Sequence, residues 1–281
     1  MIIDSETNSL YLADCLPKKY PVFFSAFEKG LKENSIEINW LPGAKDVWAR
    51  DYMPIQISKD KFVPFTYAPS YLIETKSGTC SISDTESICK AIDVKTETKS
   101  NIILDGGNVV KSKDKAIVTD KIFRENKGYD ERKLIGELET IFEVSKVIVI
   151  PSDRYDFTGH ADGMVRFLNE DTVLINQYDK DKDVFQVTLR MSLYNAGLDW
   201  IELPYNPYNN KPYTSASGIY VNYLEMQNIV FVPVFEINED ECAIKVFEEQ
   251  FKGKRIVTVK SNDLAQKGGI LNCISWNILW D

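Results

Sequence analysis

The chain has 281 residues, of which 44% are apolar, so it can bury a large hydrophobic core. Its 33 basic and 42 acidic residues give a formal charge of −9, which disfavours nucleic acid as the main partner and suits a cationic small substrate. The chain has no run of the roughly 18 apolar residues that a membrane helix needs, and its first residues do not form a secretion signal. We therefore expect a cytoplasmic protein that does not contact a membrane.

The cysteines do not form the pattern of a disulfide framework or a zinc site. Their number is odd and no two form a Cys-x-x-Cys pair, so we expect reduced thiols, no metal and no cofactor. The chain has a single histidine, on which any imidazole chemistry must depend. The five cysteines are Cys15, Cys80, Cys89, Cys242 and Cys273.

Helical and strand-like segments alternate along the chain without a linker. Helical periodicity predicts helices near 20–33, 82–92, 129–142, 184–196 and 239–252. Runs rich in β-branched residues predict strands at 117–119, 147–150, 172–175, 229–235 and 255–259. Since no Pro/Gly/Ser-rich tract divides the sequence, we expect one α/β domain over residues 1–281.

The first motif with chemical potential is residues 48–54, Trp-Ala-Arg-Asp-Tyr-Met-Pro. The proline ends regular structure, and a turn of this kind can present Asp51 to the interior. The alternative is a surface ion pair between Arg50 and Asp51 beside a core Trp48.

A second motif, residues 104–108 (Leu-Asp-Gly-Gly-Asn), follows an apolar strand predicted at 102–103. Its two glycines permit a positive φ or the close approach of a ligand to the backbone. A plain hairpin turn is the alternative.

The histidine lies in residues 158–167, Thr-Gly-His-Ala-Asp-Gly-Met-Val-Arg-Phe. In an extended segment His160 and Asp162 point to the same face, so both could act on one substrate. The alternatives are a structural histidine and an Arg166 that pairs structurally with a carboxylate.

Cys273 follows Gly268 and Gly269, an approach that lets the backbone come close to a ligand. Cysteine, histidine and aspartate together suggest thiol chemistry. The alternative is a buried free cysteine that behaves as a small hydrophobe, which is our interpretation of the other four.

These motifs recur at nearly equal steps. Asp51 and Asp105 are 54 residues apart, Asp105 and His160 are 55 apart, and His160 and Cys273 are 113 apart, about twice that step. A missing fourth position would fall near Ser217. Since one fifth of 281 residues is about 56, we infer five α/β units that each deliver a polar loop to a common centre. Ordinary alternation of strands and helices could give the same spacing.

Taken together, the motifs resemble the agmatine deiminase and bacterial (Porphyromonas-type) peptidylarginine deiminase family of guanidine-modifying enzymes. The resemblance spans residues 40–277 and includes residues 220–223, Tyr-Val-Asn-Tyr, besides the four motifs above. It implies the pentein fold, a five-bladed α/β propeller with pseudo-fivefold symmetry.

The resemblance also implies a hydrolase of amidine C–N bonds and a role for each site residue. Asp51 and Asp162 would hold a planar guanidinium, and Cys273 would attack its central carbon. His160 would protonate the departing ammonia and then activate water, while Asp105 would orient His160. Further substrate-binding residues would be Trp48, Arg50 and, in a supporting role, Asn222.

The implied reaction converts agmatine to N-carbamoylputrescine and ammonia, a step of putrescine biosynthesis, or acts on a related guanidino compound. Citrullination of peptidyl arginine is the first alternative. We expect a cationic guanidino molecule or an arginine side chain as partner, and a homodimer as the assembly.

Three further interpretations remain open at the level of sequence. One is an amidinotransferase or dimethylarginine hydrolase, which shares the covalent chemistry. Another is a non-catalytic pentein that binds guanidine or a macromolecule. The third, a cysteine peptidase, is disfavoured because paired carboxylates would repel the developing oxyanion.

The sequence departs from the agmatine deiminase pattern in three places. Asp105 stands where glutamate is usual, Val109-Val110 where a histidine follows the glycine pair, and Asn272 where a histidine precedes the cysteine. Asp105 has the shorter reach by one methylene. These changes leave the expected reaction in place but put the identity of the substrate in doubt.

Overall fold

A computed structural model describes residues 1–154, 156–178, 184–205 and 214–280 of the chain. The strands are β1 Ser9–Ala13, β2 Ile38–Leu41, β3 Ile55–Ser58, β4 Lys61–Val63, β5 Val110–Lys111, β6 Lys115–Thr119, β7 Lys146–Ile150, β8 Val165–Phe167, β9 Thr172–Asn176, β10 Asp199–Leu203, β11 Leu224–Met226, β12 Ile229–Val234, β13 Arg255–Lys260 and β14 Ser275–Ile278.

The helices alternate with these strands and are mostly short. They are α1 Leu16–Lys19, α2 Pro21–Glu33, α3 Ala49–Tyr52, α4 Ser70–Ile73, α5 Lys76–Ser81, α6 Thr85–Ala91, α7 Lys121–Glu125, α8 Glu131–Phe142, α9 Val184–Asn195, α10 Glu239–Gln250, α11 Asn262–Ala265 and α12 Leu271–Ile274. Three 3₁₀ turns lie at Asp4–Glu6, Gly106–Asn108 and Ala161–Gly163.

Within the described ranges the strands form five small sheets, four of which share one topology. In each of these four, a central strand pairs antiparallel with a neighbour on one side and parallel with a strand that follows a helical crossover. The orders are β14-β1-β2, β5-β6-β7, β8-β9-β10 and β11-β12-β13. The molecule is therefore a mixed α/β structure built from similar units.

The fifth sheet is the β3-β4 hairpin, which lacks the third strand. In its place an isolated parallel bridge joins Thr66 to Ile103. The strand that we predicted at 102–103 is therefore reduced to this single bridge. Ile102 is nevertheless fully buried, so the apolar pattern reports burial correctly and strand structure incorrectly.

Both ends of the described chain lie in one sheet. The antiparallel pairing of β1 with β14 sets Leu10 opposite Asn277 and Leu12 opposite Ser275. The last unit is therefore completed by residues from the first, which holds the segment just before β14 in a fixed position.

The predicted helices and strands are otherwise confirmed. The segments 20–33, 129–142, 184–196 and 239–252 contain α2, α8, α9 and α10, and 82–92 contains the shorter α6. The five predicted strands correspond to β6, β7, β9, β12 and β13.

Local chemistry explains why α8 begins and ends where it does. The N–H of Lys133 donates to Asp130 Oδ1 (3.0 Å), which caps the first turn. Leu134, Leu138 and Phe142 follow at four-residue steps and are all buried. The helix ends at Phe142, because the next residue, Glu143, has a left-handed φ of 55°.

In the described parts of the chain, no helix is long and apolar enough to cross a bilayer.

Gly106 is required because two backbone segments approach each other there. A Cβ at this position would lie 2.0 Å from the carbonyl oxygen of Arg50. The φ of Gly106 is not positive, so the close approach alone requires glycine. The close approach at Gly106 therefore involves the chain's own backbone, and the approach of a ligand to this turn stays a prediction.

We expect Gly106→Ala to lower the free energy of unfolding by about 1 to 3 kcal/mol, because the clash involves backbone that cannot rotate away. Gly136→Ala is the matched control, since Gly136 lies within α8 and has open space where a Cβ would point. That change should raise stability by about 0.5 to 1 kcal/mol. Urea unfolding measures both, and equal stability of the two variants would contradict the packing described for Gly106.

Candidate active site

Polar segments from all five sheets meet at one place. Each segment lies directly before a strand that pairs antiparallel within its sheet. These strands are β3, β5, β8, β11 and β14. Because the units share a topology, equivalent segments come to the same end of the molecule. The residues concerned are Asp51, Asp105, His160 with Asp162, Asn222 and Cys273.

These segments surround a cavity of about 300 Å³. Among the predicted site residues it is lined by Trp48, Asp51, His160, Asp162, Asn222 and Cys273. Much of the remaining wall is aromatic or aliphatic: Tyr67, Tyr71, Leu72, Phe157, Ile219 and Ile270. A small number of polar groups in an apolar pocket is typical of a binding site for a small molecule.

One substrate-binding residue predicted from the sequence lies elsewhere. Arg50 is buried and its guanidinium faces away from the cavity, where it donates to Asn277 Oδ1 and to the carbonyl oxygen of Asn272. The alternative of a surface ion pair with Asp51 is also wrong. The fourth repeat position, predicted near Ser217, is Asn222, because the polar segment of that unit ends just before β11.

His160 lies between two carboxylates. Its Nε2 is 2.7 Å from Asp105 Oδ2, and its Nδ1 is 3.5 Å from Asp51 Oδ1. Burial lowers the pKa of His160 and so does Lys121, but Asp51 and Asp105 outweigh them, and the pKa is raised overall. Asp105 does not line the cavity and supports the imidazole from behind.

Asp51 reaches the site from α3 and has one backbone partner. The N–H of Gly107 donates to Asp51 Oδ1 (3.1 Å). Burial raises the pKa of Asp51 to about 7, with Asp105 and Asp162 adding to the rise and His160 opposing it. Asp51 is therefore an incompletely compensated carboxylate on the cavity wall.

Asp162 is the second such carboxylate. It accepts a hydrogen bond at Oδ2 from the side-chain amide of Asn272 (2.6 Å). Burial raises its pKa too, although His160 and Asn272 work in the opposite direction. The two acids face one cavity from different sheets, so they could share a ligand with positive charge.

Cys273 lies on α12 beside Asp162 and Asn222. Its Sγ is 3.3 Å from Asn222 Oδ1 and 4.0 Å from Asp162 Oδ2. Asn222 Oδ1 also accepts from the backbone N–H groups of Asn272 (3.1 Å) and Cys273 (3.3 Å), which fixes the start of α12. Burial and the nearby carboxylates Asp162 and Asp51 raise the pKa of the thiol well above its ordinary value.

The two glycines before Cys273 lie against aromatic rings, Gly268 against Phe157 and Gly269 against Trp48. A Cβ at Gly269 would lie 2.3 Å from Trp48 Cζ3, so the indole rests directly on the backbone there. Gly268 has a φ of 87°, which favours glycine. Both glycines also line the cavity, and the approach of a ligand to their backbone stays a prediction.

Sequence reasoning missed Lys121 and Tyr71. Lys121 begins α7, is buried, and its ammonium pairs with Asp105 Oδ2. The ring centroid of Tyr71 lies 6.2 Å from that of His160. No local motif marks either residue; the only available signal for Lys121 was a lysine two residues after the strand run 117–119.

Among the residues that the structure describes, no group of three or more His, Cys, Asp or Glu side chains is arranged to hold a metal ion.

The chain is similar in sequence to a deiminase family and to proteins provisionally named as deiminases. Residues 24–278 match the model of the family described as Porphyromonas-type peptidyl-arginine deiminase. A Mycoplasma mycoides protein that carries the provisional name agmatine deiminase is 21% identical over 209 residues, which cover 63% of this chain and 57% of that protein. The aligned part thus spans little more than half the length of this curated relative.

The fold is similar to that of solved deiminases and a related hydrolase. Agmatine deiminase from C. jejuni superposes with a TM-score of 0.77 at 18% identity, covering 98% of this chain and 94% of that one. DDAH from Pseudomonas aeruginosa, solved with citrulline, has a TM-score of 0.60 at 13% identity, covering 97% of this chain and 100% of that one. The chain therefore shares the pentein-like fold of both.

We expect Asp51→Asn to stabilise the protein at alkaline pH. The pKa of Asp51 is raised to about 7, against about 4 in an unfolded chain, so its contribution to stability is lost as pH rises from about 4 through 7. Asparagine keeps the acceptor for Gly107 and removes the charge. The gain should be about 3 to 4 kcal/mol at pH 8.5 and only about 1 to 1.5 kcal/mol at pH 5.

Urea unfolding at both pH values measures this gain. Asp199 is exposed, so Asp199→Asn is the control. It should change the free energy of unfolding by less than about 0.5 kcal/mol at either pH. A gain for Asp51→Asn that is the same at pH 5 and pH 8.5 would rule out the buried charge as its cause.

Proposed function

Because the chain belongs to the Porphyromonas-type peptidyl-arginine deiminase family, we propose that it is a guanidine deiminase whose substrate is agmatine or a closely related guanidino compound. The observation that carries the proposal is the pair of buried carboxylates, Asp51 and Asp162, in one small cavity with a cysteine thiol and an imidazole. A planar cation with several N–H donors suits this arrangement.

We also propose that the five sheets are the blades of a five-bladed α/β propeller with pseudo-fivefold symmetry, and that residues 1–281 form one catalytic domain. The shared topology of four sheets supports this proposal, as does the pairing of β1 with β14. The hairpin β3-β4 is then a blade that has lost a strand.

Substrate binding prepares the thiol for attack. Before substrate binds, burial and the nearby carboxylates favour the protonated thiol, since both raise the pKa of Cys273. A guanidinium held by Asp51 and Asp162 brings positive charge beside Sγ and reverses this effect. The thiol proton is transferred to His160, and the thiolate of Cys273 attacks the central carbon of the guanidinium.

Two steps complete the reaction. His160 donates a proton to one amino group, the C–N bond breaks, and ammonia leaves a thiouronium on Cys273. His160 then accepts a proton from water as the water adds to the same carbon. As the C–S bond breaks, the sulfur takes up the proton of the added hydroxyl group, which returns the thiol of Cys273 and releases a neutral ureido product, and His160 gives its proton to solvent.

The other site residues assist without bond changes. Asp105 holds the imidazole of His160, Trp48 forms the wall against the substrate, and Asn222 fixes the start of α12 and contacts Sγ. Arg50 has no contact with substrate in this scheme, because it lies outside the cavity.

The cavity wall favours agmatine over free arginine. Beyond the two binding acids, the described residues of the wall include two more acids, Asp46 and Asp156, against one basic residue, Lys267. Burial raises the pKa of Asp46 to about 6, so it is largely ionised at neutral pH. An amine at the far end of the substrate suits this charge better than a carboxylate does.

Two departures from the agmatine deiminase pattern can be interpreted from contacts. Asn272, in place of histidine, donates to Asp162 and so helps to hold a binding acid. Val109 and Val110 stand where the family pattern has a histidine after the glycine pair. Both valines are buried in apolar clusters. Neither change removes a residue from the proposed chemistry.

Citrullination of peptidyl arginine is the second candidate function. The family name favours it, whereas a cavity of about 300 Å³ is at the small end for a ligand site. The assembly into homodimers, the place in putrescine biosynthesis and the location in the cell stay predictions.

We expect Cys273→Ala and His160→Ala each to lower kcat by at least about 10³-fold, because each removes a group that takes part in bond breaking. Cys242→Ala is the matched control, since Cys242 is exposed on α10, and it should retain full activity. Ammonia and ureido-product assays with agmatine measure all three. Undiminished turnover by Cys273→Ala would exclude the covalent mechanism.

The same assays separate the candidate substrates. We expect kcat/KM to be at least about tenfold higher for agmatine than for free arginine or an internal arginine peptide. The highest value with the peptide would identify a protein-modifying enzyme. Release of methylamines from methylated arginine would identify a dimethylarginine hydrolase, and no turnover of any of these compounds would favour a binding protein.

A further inference from the structure

Lys121 is a buried cation at the edge of the proposed active site. It is 5% exposed, and its ammonium pairs with Asp105 Oδ2 and lies 3.3 Å from His160 Nε2. The same ammonium lies 4.8 Å from the ring centroid of Tyr71. A buried ammonium is costly unless it is paired, and the pairing here is with both members of the Asp105–His160 contact.

The proposed reaction creates a problem that a nearby cation can solve. His160 must give up a proton when ammonia leaves and must be neutral when it activates water. Carboxylates around an imidazole stabilise the charged form and so oppose the return to neutrality. The charged or titratable groups around His160 are Asp51 from α3, Tyr71 from α4, Asp105 before the 3₁₀ turn, Lys121 from α7, Asp156 and Asp162 from its own segment, and Cys273 across the cavity.

We propose that Lys121 is a positioning residue of this reaction, holding Asp105 and favouring the neutral imidazole of His160 for the hydrolytic step. The inference rests on the deiminase function proposed above.

The contacts of Asp105 explain how Lys121 can both hold Asp105 and favour the neutral imidazole of His160. Lys121 and His160 approach the same oxygen, Oδ2, whereas Oδ1 is buried without a hydrogen-bond partner in the described parts of the chain. The ammonium thus competes with His160 for Oδ2. It can also donate to Nε2 when the imidazole is neutral, which a carboxylate cannot do.

The direction of the electrostatic effect follows from the charges. The charge of Lys121 lowers the pKa of His160, and this effect is second in size only to that of burial. Asp51 and Asp105 raise the same pKa. Removing the ammonium therefore raises the pKa of His160 further. At a given pH, less of the imidazole is then neutral and able to act as a base.

The single histidine of the chain allows a direct test. In protein labelled with ¹³C-histidine and freed of any histidine tag, one imidazole C–H signal reports the titration of His160. We expect its midpoint to rise by about 1 to 3 pH units in Lys121→Met and to stay within about 0.3 units of wild type in Lys121→Arg. Lys121→Gln replaces Lys121→Met if the latter does not fold.

Lys254→Met is the matched control. Lys254 also forms an ion pair, at 2.5 Å to Glu225, but on another side of the molecule and away from the cavity. Its removal should leave the midpoint of His160 unchanged.

Single-turnover kinetics with agmatine test the consequence for the reaction. We expect Lys121→Met to release ammonia faster than ureido product, so that intact mass spectrometry detects the adduct on Cys273 at pH 7. Raising the pH should restore release of the ureido product in that variant. A purely structural role would lower both rates equally at every pH.

An unchanged His160 midpoint in Lys121→Met and Lys121→Gln would overturn the inference. If the midpoint shifts and wild type turns over none of the guanidino compounds tested, the deiminase function fails while the electrostatic role of Lys121 stands. If wild type is active and the midpoint does not shift, only the role of Lys121 fails.

Discussion

Asp51, Asp105 and Asp162 bring three buried carboxylates together around one buried imidazole. Ionised acids in such a place are costly unless hydrogen bonds or cations compensate them. The chain supplies partial compensation: Lys121 pairs with Asp105, an asparagine amide donates to Asp162, and a single backbone N–H donates to Asp51. Only Asp105 has a lysine within ion-pair distance in the described structure, and its pKa is lowered where burial alone would raise it. The two acids without such a partner are the two that line the cavity, so the uncompensated negative charge faces the ligand.

Holding such charges together requires support from outside the cavity. Behind α3, Arg50 donates to Asn277 on β14 and to the carbonyl of Asn272 on α12, so one side chain joins the helix of Asp51 to that of Cys273. Asp4 pairs with Arg166 and Lys111, and it accepts a hydrogen bond from Asn277. These contacts connect β5, β8 and β14 with the first turn of the chain. Arg166 is thus the structural partner of a carboxylate, which was one of the two interpretations that its sequence allowed.

The sequence predicts the parts of this molecule that depend on local pattern. The helices α2, α8, α9 and α10 have strong periodicity and are found where it predicts them. The equal spacing of Asp51, Asp105 and His160 reflects equivalent positions in successive units. Neighbours on a short helix point to different faces, as Asp51 and Arg50 do here, and the sequence does not show which of the two faces the cavity. The direction of the Arg50 side chain could therefore not be predicted. Nor could Lys121, whose importance comes from contacts with residues 16 and 39 positions away.

In the proposed reaction, the charge of the substrate takes part in catalysis and then in release. A guanidinium satisfies Asp51 and Asp162 and favours the thiolate of Cys273, so the nucleophile forms only when a target is bound. This order keeps the free enzyme in its unreactive thiol form, in keeping with the raised pKa of Cys273. The ureido product is neutral, and the two acids lose their cation as it forms. Because the acids prefer a cation to a neutral amide, the same carboxylates that hold the substrate favour its replacement by a new one.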